Sequence, residues 1–151
     1  MSVEVSEETL PAAAQIHALS WQASHSAFCS PEFVRLHTAA RQSEYLQKEM
    51  LAGKRLYLLV KDKPVGIVSI KDAQLIENLY VLPTEQNRGY GTELLLFAMG
   101  QCTVAPRLWV LDNNHRACAL YARHGFRPTG VTHPLSDILA EVEMERAAPA
   151  A

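Results

Sequence analysis

The sequence lacks several features that mark whole classes of protein. No apolar run approaches the roughly 20 residues of a membrane-spanning helix, so we expect no membrane partner. The first five residues contain neither a basic segment nor an apolar core, so no export signal is visible. The 14 lysines and arginines face 16 acidic residues, for a formal net charge of -2. This balance excludes the basic footprint of a nucleic-acid-binding protein.

Cysteine is also scarce. The three cysteines, Cys29, Cys102 and Cys118, do not have the spacing of metal ligands, so no metal site is predicted. An odd number of cysteines is a poor basis for a disulfide framework. Reduced thiols are typical of a cytoplasmic protein, which is the location we expect.

What the sequence does contain is an alternation of strand and helix patterns. Its 151 residues suffice for a single domain, 1–151, with a real core, and no linker or repeat divides it. Strands are predicted at 2–6, 56–60, 65–70, 75–82, 108–111, 126–131 and 138–144, and helices at 10–24, 30–51 with a break near 38, 93–99 and 116–123. This order is typical of an α/β (α+β) fold with a mixed sheet. The closing Ala-Ala-Pro-Ala-Ala segment is expected to be disordered.

The first indication of function is a strand that delivers two glycines to the start of a helix. The strand ends at Pro83, and after a polar turn Gln86-Asn87-Arg88-Gly89-Tyr90-Gly91-Thr92 opens an amphipathic stretch. Glycine lets the backbone approach a phosphate closely, and a first helical turn offers unpaired N–H groups. We therefore expect the amides of residues 88–92 to hold a pyrophosphate, with Arg88 adding positive charge. An ordinary strand-turn-helix connection is the alternative on the glycines alone.

The spacing of the glycines narrows the choice of ligand. Leu94 stands where a dinucleotide-binding fingerprint has its third glycine. No Gly-Lys-Ser/Thr follows, so the phosphate loop of ATPases is absent as well. A nucleotide-binding protein is therefore the weakest of the functions considered.

A second segment predicts a capped helix with one distinctive face. The Asp-Asn-Asn run at 112–114 can cap this helix, and Gly125 can end it. Asn114, Ala117 and Tyr121 are spaced by three and four residues, so they share one face. The small residue at 117 lets a ligand approach this face beside the phenol. A tyrosine at the edge of the core, with its hydroxyl in water, is the alternative for Tyr121.

Two motifs of a known family lie in these segments. Residues 86–91 match Gln/Arg-x-x-Gly-x-Gly/Ala, after a strand that reads Leu79-Tyr80-Val81-Leu82-Pro83. Residues 114–126 match Asn-x-x-Ala-x-x-x-Tyr-x-x-x-Gly-Phe. In this order the chain resembles the GNAT superfamily of N-acetyltransferases over almost its full length. The resemblance implies a mixed, mostly antiparallel sheet of about seven strands, with about four helices on its faces, splayed between the fourth and fifth strands.

The resemblance also implies acetyl-coenzyme A (acetyl-CoA) as the acetyl donor. Its pyrophosphate would lie on the loop and helix start, and its pantetheine arm would pair with backbone groups of the preceding strand. Asn114 would hydrogen-bond the arm, and Tyr121 would stand near the thioester sulfur. The implied cofactor-binding residues are Leu79, Tyr80, Val81, Gln86, Asn87, Arg88, Gly89, Tyr90, Gly91, Thr92, Asn114 and Ala117.

Acetyl transfer to an amine needs a base, a donor to the tetrahedral oxyanion and an acid for the departing thiolate. Tyr121 is the candidate acid because a phenol stays protonated at neutral pH, and the amide of Val81 is the candidate oxyanion donor. Glu77 is the candidate base or amine anchor, since it is the one carboxylate in the predicted strand. Strand alternation places it on the face of Leu79 and Val81. The alternative is a Glu77 at a splayed edge that meets only solvent or an arginine.

The residues that bind the acceptor amine are harder to predict from the sequence. In this family the first two helices and the last hairpin usually wall it, which makes Trp21, His25 and Phe28 the candidate substrate-binding residues. Trp21 and Phe28 are more typical of a core than of ligand contacts, and His25, which could serve as a second base, is more typical of a surface. No acceptor amine is indicated by these residues.

We therefore expect a single-domain N-acetyltransferase that moves the acetyl group directly to a primary amine of a small molecule or peptide. Transfer through a cysteine is less favoured, because no cysteine is paired with a base in the sequence. An acetyl-CoA-binding regulatory or scaffold module without turnover is the alternative from another class. Small enzymes of this type are often dimers, so a homodimer is the protein partner considered.

Overall fold

A computed structural model of the chain describes residues 1–147, which form seven strands and five α-helices. The strands are β1 (Ser2–Glu4), β2 (Arg55–Val60), β3 (Pro64–Lys71), β4 (Leu75–Val81), β5 (Arg107–Leu111), β6 (Phe126–Pro134) and β7 (Ala140–Arg146). The helices are α1 (Leu10–His25), α2 (Pro31–Arg35), α3 (Ala39–Leu51), α4 (Tyr90–Gln101) and α5 (His115–Arg123). The predicted order of elements is confirmed. Of the end expected to be disordered, residues 147–151, all but the first residue lie outside the described residues.

Side-chain caps explain why the predicted break near residue 38 separates two helices. The Ser30 hydroxyl accepts the N–H of Phe33 at 3.2 Å to begin α2. The Thr38 hydroxyl accepts the N–H of Arg41 at 3.2 Å to begin α3. Five helices are therefore present in residues 1–147 where about four were expected. None of these five has the length and apolarity to cross a membrane.

The strands form one mixed sheet in the order β1-β2-β3-β4-β5-β7-β6. All neighbours are antiparallel except β4 and β5, which run parallel. Within the described residues these two pair at Leu75 with Arg107 and at Ile76 with Leu108, and beyond these pairs they separate. The expected fold, with its opening between the fourth and fifth strands, is confirmed. We call this opening the cleft.

A bulge in β4 decides which side chains face each side of the sheet. Asn78 has a φ of 52°, and the register between β3 and β4 shifts around it. The Asn78 side-chain amide donates to the Ser69 hydroxyl at 2.9 Å, which fixes the bulge. Leu79 and Val81 consequently pack toward α4, whereas Glu77 turns to the opposite face. The prediction that Glu77 shares a face with Leu79 and Val81 is wrong, because alternation fails across an inserted residue.

Two apolar cores lie on the two faces of the sheet. Alternate residues of β2 divide between them, Leu56 and Leu58 on one face and Tyr57 and Leu59 on the other. One core packs α4 and α5 against the sheet and includes Leu94, Leu95, Ala98, Leu108, Tyr121 and Phe126. The other packs α1 and α3 against it and includes Ala13, Ala14, Ile16, Leu46 and Ile67. The sheet therefore separates two helical layers, and the cleft opens between them.

Candidate active site

The loop before α4 has the backbone shape of an anion-binding turn. Asn87 and Gly89 adopt left-handed conformations, with φ of 67° and 82°, and α4 begins at Tyr90, earlier than the predicted start at Glu93. Within residues 1–147 the N–H groups of residues 88–92 have no acceptor, and the first bonded amide is that of Glu93, 3.0 Å from Gly89 O. These unpartnered amides, with the positive end of the helix dipole, suit a phosphate group.

Two arginines lie beside this loop. Arg88 extends into solvent, with Nη1 3.5 Å from a carboxylate oxygen of Glu85. Arg116, from the first turn of α5, donates a hydrogen bond to the side-chain oxygen of Asn87. Sequence reasoning missed Arg116, because the packing of α5 beside the loop brings it there and no local pattern indicates this. The loop thus has two guanidinium groups close to its free amides.

The backbone of β4 is open on the side of the cleft. Leu82 N donates to Val65 O at 2.9 Å, so Leu82 turns its hydrogen-bonding groups toward β3. Successive residues of an antiparallel strand direct these groups to alternate sides, so the N–H of Val81 points away from β3. The carbonyl of Val81, on that same side, accepts hydrogen bonds from Gln86 and Ser20, each at 3.3 Å. The amide of Val81 therefore faces the cleft.

The predicted face of α5 is present. Asn114 and Tyr121 have different roles on it, which the sequence did not distinguish. Asn114 caps the helix, since its side-chain oxygen accepts the N–H of Ala117 at 3.1 Å. Its side-chain NH2 remains to donate. Tyr121 is only 8% exposed and packs its ring 6.0 Å from that of Phe126. Burial raises the pKa of Tyr121 to about 12, so its hydroxyl carries its proton at neutral pH.

Glu77 forms an ion pair that the sequence did not predict. One of its carboxylate oxygens lies 3.2 Å from Nζ of Lys54, whose other partner is Glu49 at 3.0 Å. The side chain of Lys54 is only 4% exposed. Burial acts to lower the pKa of Lys54, but the neighbouring Glu49, Tyr45 and Glu77 outweigh it and the pKa is raised. Glu77 thus neutralises a buried ammonium at the end of α3.

A cavity of about 480 Å³ lies on the side of the sheet covered by α1–α3. The bulged part of β4 closes it on one side, so it adjoins the same strand as the cleft. Tyr80, expected to contact a cofactor through its backbone, turns its side chain into this cavity. The residues around it are His17, Trp21, Phe33, Leu36, His37, Arg41, Gln42, Tyr45, Asn78 and Tyr80.

Of the three residues predicted to bind substrate, the structure places Trp21 on the cavity wall and the other two behind it. The Trp21 ring stacks on His37 and on His25, with ring centroids 3.5 Å and 4.0 Å apart. His25 is held by its Nδ1, 2.9 Å from Trp21 O, and burial lowers its pKa. Phe28 packs 5.2 Å from His25 and is partly exposed. His25 therefore stacks on Trp21, Phe28 packs on His25, and neither is among the residues around the cavity.

His17 is a candidate functional residue that the sequence did not indicate. It is 5% exposed, lines the cavity, and among residues 1–147 its Nδ1 is the one buried side-chain polar atom without a hydrogen-bond partner. Its ring lies 5.0 Å from that of Tyr80 and 5.6 Å from that of Tyr45. Burial lowers the pKa of His17 to about 4, although the neighbouring Asn78 side chain acts to raise it, so the ring is neutral at physiological pH. No local pattern in the sequence distinguishes it from the other histidines of the chain.

The cleft and the cavity thus lie on opposite sides of β4. The sequence also matches the model of a known family. Residues 14–126 match the model of the Acetyltransferase (GNAT) family. The chain belongs to this GNAT acetyltransferase family. Members of the family take the acetyl group from acetyl-CoA. None of the curated proteins matches the sequence significantly.

Solved structures share this GNAT fold at low sequence identity. PaiA N-acetyltransferase from Thermoplasma acidophilum, in complex with coenzyme A, is 17% identical, with a TM-score of 0.74 and 98% of each chain covered. Ribosomal-protein-alanine N-acetyltransferase from Brucella melitensis is 16% identical, with a TM-score of 0.70 and coverage of 98% of this chain and 99% of the other. YncA from Salmonella typhimurium, with acetyl-CoA, is 17% identical, with a TM-score of 0.66 and coverage of 100% and 98%.

Proposed function

We propose that the protein transfers the acetyl group of acetyl-CoA directly to a primary amine of a small molecule or peptide. The observation that carries this proposal is the row of unpartnered amides at residues 88–92, which opens beside the cleft. A pyrophosphate bound there would also meet the guanidinium groups of Arg88 and Arg116. The carboxyl end of β4 and the N-terminus of α4 thus form one continuous surface for a long, anionic cofactor.

The arm of the cofactor would lie along β4. Its amide groups would pair with the backbone near Leu79, Tyr80 and Val81, where β5 has separated from β4 and no longer occupies that side. The side-chain NH2 of Asn114 would donate to the arm from the opposite wall. This path brings the thioester to the amide of Val81, which is the proposed donor to the tetrahedral oxyanion.

Tyr121 is the proposed acid. Its raised pKa keeps the hydroxyl protonated, so it can donate to the thiolate as the C–S bond breaks. The acceptor amine would arrive from the cavity on the other side of β4 and attack the carbonyl carbon. Holding both reactants in this geometry contributes several kcal/mol, because the attack becomes effectively unimolecular.

Direct transfer is favoured over an acetyl-cysteine intermediate. Burial raises the pKa of Cys102, and burial with Asp112 raises that of Cys118. A raised pKa reduces the thiolate fraction that attack requires. Cys29 lies outside both the cleft and the ring of residues around the cavity.

The test compares Tyr121→Phe with a matched control, Tyr57→Phe, whose phenol is buried in the same core. Calorimetry should show acetyl-CoA binding to the wild type and to both variants with nearly the same affinity. Thiol release over a panel of amines should fall about 100-fold or more in kcat for Tyr121→Phe alone, the size of a lost general acid. Binding without thiol release from any amine would indicate a regulatory module. Unchanged turnover in Tyr121→Phe would rule out the phenol as the acid.

A further inference from the structure

The charge of the cavity restricts what it can bind. Among its ten lining residues Arg41 is the one with a permanent charge, and none is aspartate or glutamate. A polycation such as a polyamine or aminoglycoside would meet a guanidinium there and find no carboxylate on the wall. The cavity therefore favours a neutral or anionic group over a second cation.

Arg41 is available to an anion. It is exposed in the first turn of α3, and within the described residues no carboxylate lies within 4.0 Å of it. The first turn of α3 contains no acidic residue either. A guanidinium presents paired N–H donors that match the two oxygens of a carboxylate. By contrast, the nearby Arg35 of α2 is paired with Glu32 at 3.8 Å.

His17 provides a second, independent indication of what this cavity binds, because it is a buried polar group that lacks a hydrogen-bond partner. Its Nδ1 is buried and unpartnered, which is uncommon unless a ligand or bound water supplies the partner. A neutral imidazole can accept a hydrogen bond at one nitrogen and donate at the other, so it suits an uncharged amine or a carbonyl. The cavity thus has a cationic rim and a neutral hydrogen-bonding interior.

Aromatic rings form much of the remaining wall, together with Leu36 and the polar side chains of His37, Gln42 and Asn78. Phe33, Tyr45, Tyr80 and the firmly stacked Trp21 surround a volume of about 480 Å³, which suits a small molecule. Tyr80 lines the cavity from β4, the strand that also borders the cleft, so the group of the acceptor beside Tyr80 is the one placed nearest the cleft.

We propose that the acceptor is a small α-amino-acid-like molecule, with a free carboxylate bound by Arg41, the adjacent amine directed toward His17, Tyr80 and the cleft, and a flat apolar side chain packed against the aromatic wall. This inference rests on the proposed function and narrows its substrate class. A peptide N-terminus fits less well, since its carboxylate lies at the far end of the chain.

The test measures thiol release with L-phenylalanine, L-phenylalaninamide, the tripeptide Phe-Gly-Gly and spermidine. For the wild type, kcat/KM should be at least about tenfold higher for phenylalanine than for its amide, which has the same body without the carboxylate. Arg41→Gln should remove this preference, mainly through KM. The matched control Arg35→Gln should retain it.

Binding provides a readout that does not depend on turnover. In the presence of coenzyme A, calorimetry should show N-acetyl-L-phenylalanine binding more tightly than N-acetyl-L-phenylalaninamide, and Arg41→Gln should equalise the two. Preference for spermidine or Phe-Gly-Gly, or a preference for phenylalanine that survives Arg41→Gln, would overturn the inference and leave the acetyltransferase intact. Absence of acetyl-CoA binding and of thiol release with every amine would instead overturn the proposed function, and this inference with it.

Discussion

At the scale of single residues, the bulge at Asn78 in β4 determines which role Glu77 can have. Asn78 takes a left-handed conformation, and the bulge around it turns Glu77 toward α3. There its carboxylate meets the buried ammonium of Lys54, which would otherwise depend on Glu49 alone. Breaking a buried ion pair costs more than a surface pair contributes, because the remaining charge is poorly solvated. The catalytic base role of Glu77 remains a prediction, and its position favours a structural one.

The variant Glu77→Gln separates these two roles, with Glu49→Gln as its matched control on the same lysine. If Glu77 serves Lys54, both variants should lose roughly 1–3 kcal/mol of unfolding free energy, measured in urea. The pH profile of kcat should stay close to that of the wild type in both. A profile altered in Glu77→Gln alone, at equal stability loss, would restore Glu77 as the base.

At the scale of elements, the close approach of α4 to β3 sets where the proposed phosphate-binding amides lie. Gly66 makes this approach possible, because a Cβ there would lie 2.7 Å from Cδ1 of Leu94 and 2.9 Å from the carbonyl of Tyr80. The leucine side chain can shift, but the carbonyl belongs to the backbone of β4. The spacing of α4 from the sheet is therefore fixed by one missing methyl group.

Gly66→Ala should destabilise the fold by about 1–3 kcal/mol, the usual cost of overpacking a core. The matched control is Gly100→Ala, in the exposed part of α4, where a Cβ meets nothing within 4 Å. That change should stabilise the protein by about 0.5–1 kcal/mol, since alanine is the better helix former. Urea denaturation of both variants measures the difference. Equal stability of the two variants would mean that β3 and α4 move apart to accommodate the added methyl group without loss of stability.

At the scale of the whole molecule, the sheet divides the protein into two layers with different tasks. The layer of α4 and α5 provides the proposed cofactor surface, and the layer of α1–α3 provides the cavity. The two meet across β4, where its separation from β5 leaves the backbone open. The cavity side contains the buried His17, so the stability of the whole fold is linked to the protonation of one ring.

The free energy of unfolding should fall as the pH is lowered from about 6.5 toward 4. The pKa of His17 is about 4 in the folded protein against an ordinary value of 6.5, so in this interval the unfolded chain binds a proton that the folded one does not. The full loss is about 3 kcal/mol, and His25, whose pKa is also lowered, adds to it. Urea denaturation at a series of pH values measures it. His17→Gln should be clearly less sensitive over this range, and an unaltered slope would contradict the assignment.

The sequence by itself determined the order of elements, the two motifs and hence the family. Strand and helix periods, the glycines of residues 86–91 and the 114–126 pattern are local properties, and backbone conformation follows largely from neighbouring residues. For the same reason the two helix starts could be predicted to within a few residues, at the 112–114 run and after the glycines of residues 86–91.

Three features depend on the tertiary structure alone. They are the face of the sheet on which Glu77 lies, the position of Arg116 beside the loop before α4, and the cavity around His17. A bulge breaks the alternation on which face prediction rests, so Glu77 could not be placed from its strand. The cavity gathers residues from α1, α2, α3 and β4, and no local pattern relates them. Such contacts depend on how distant segments pack, which is a property of the assembled fold.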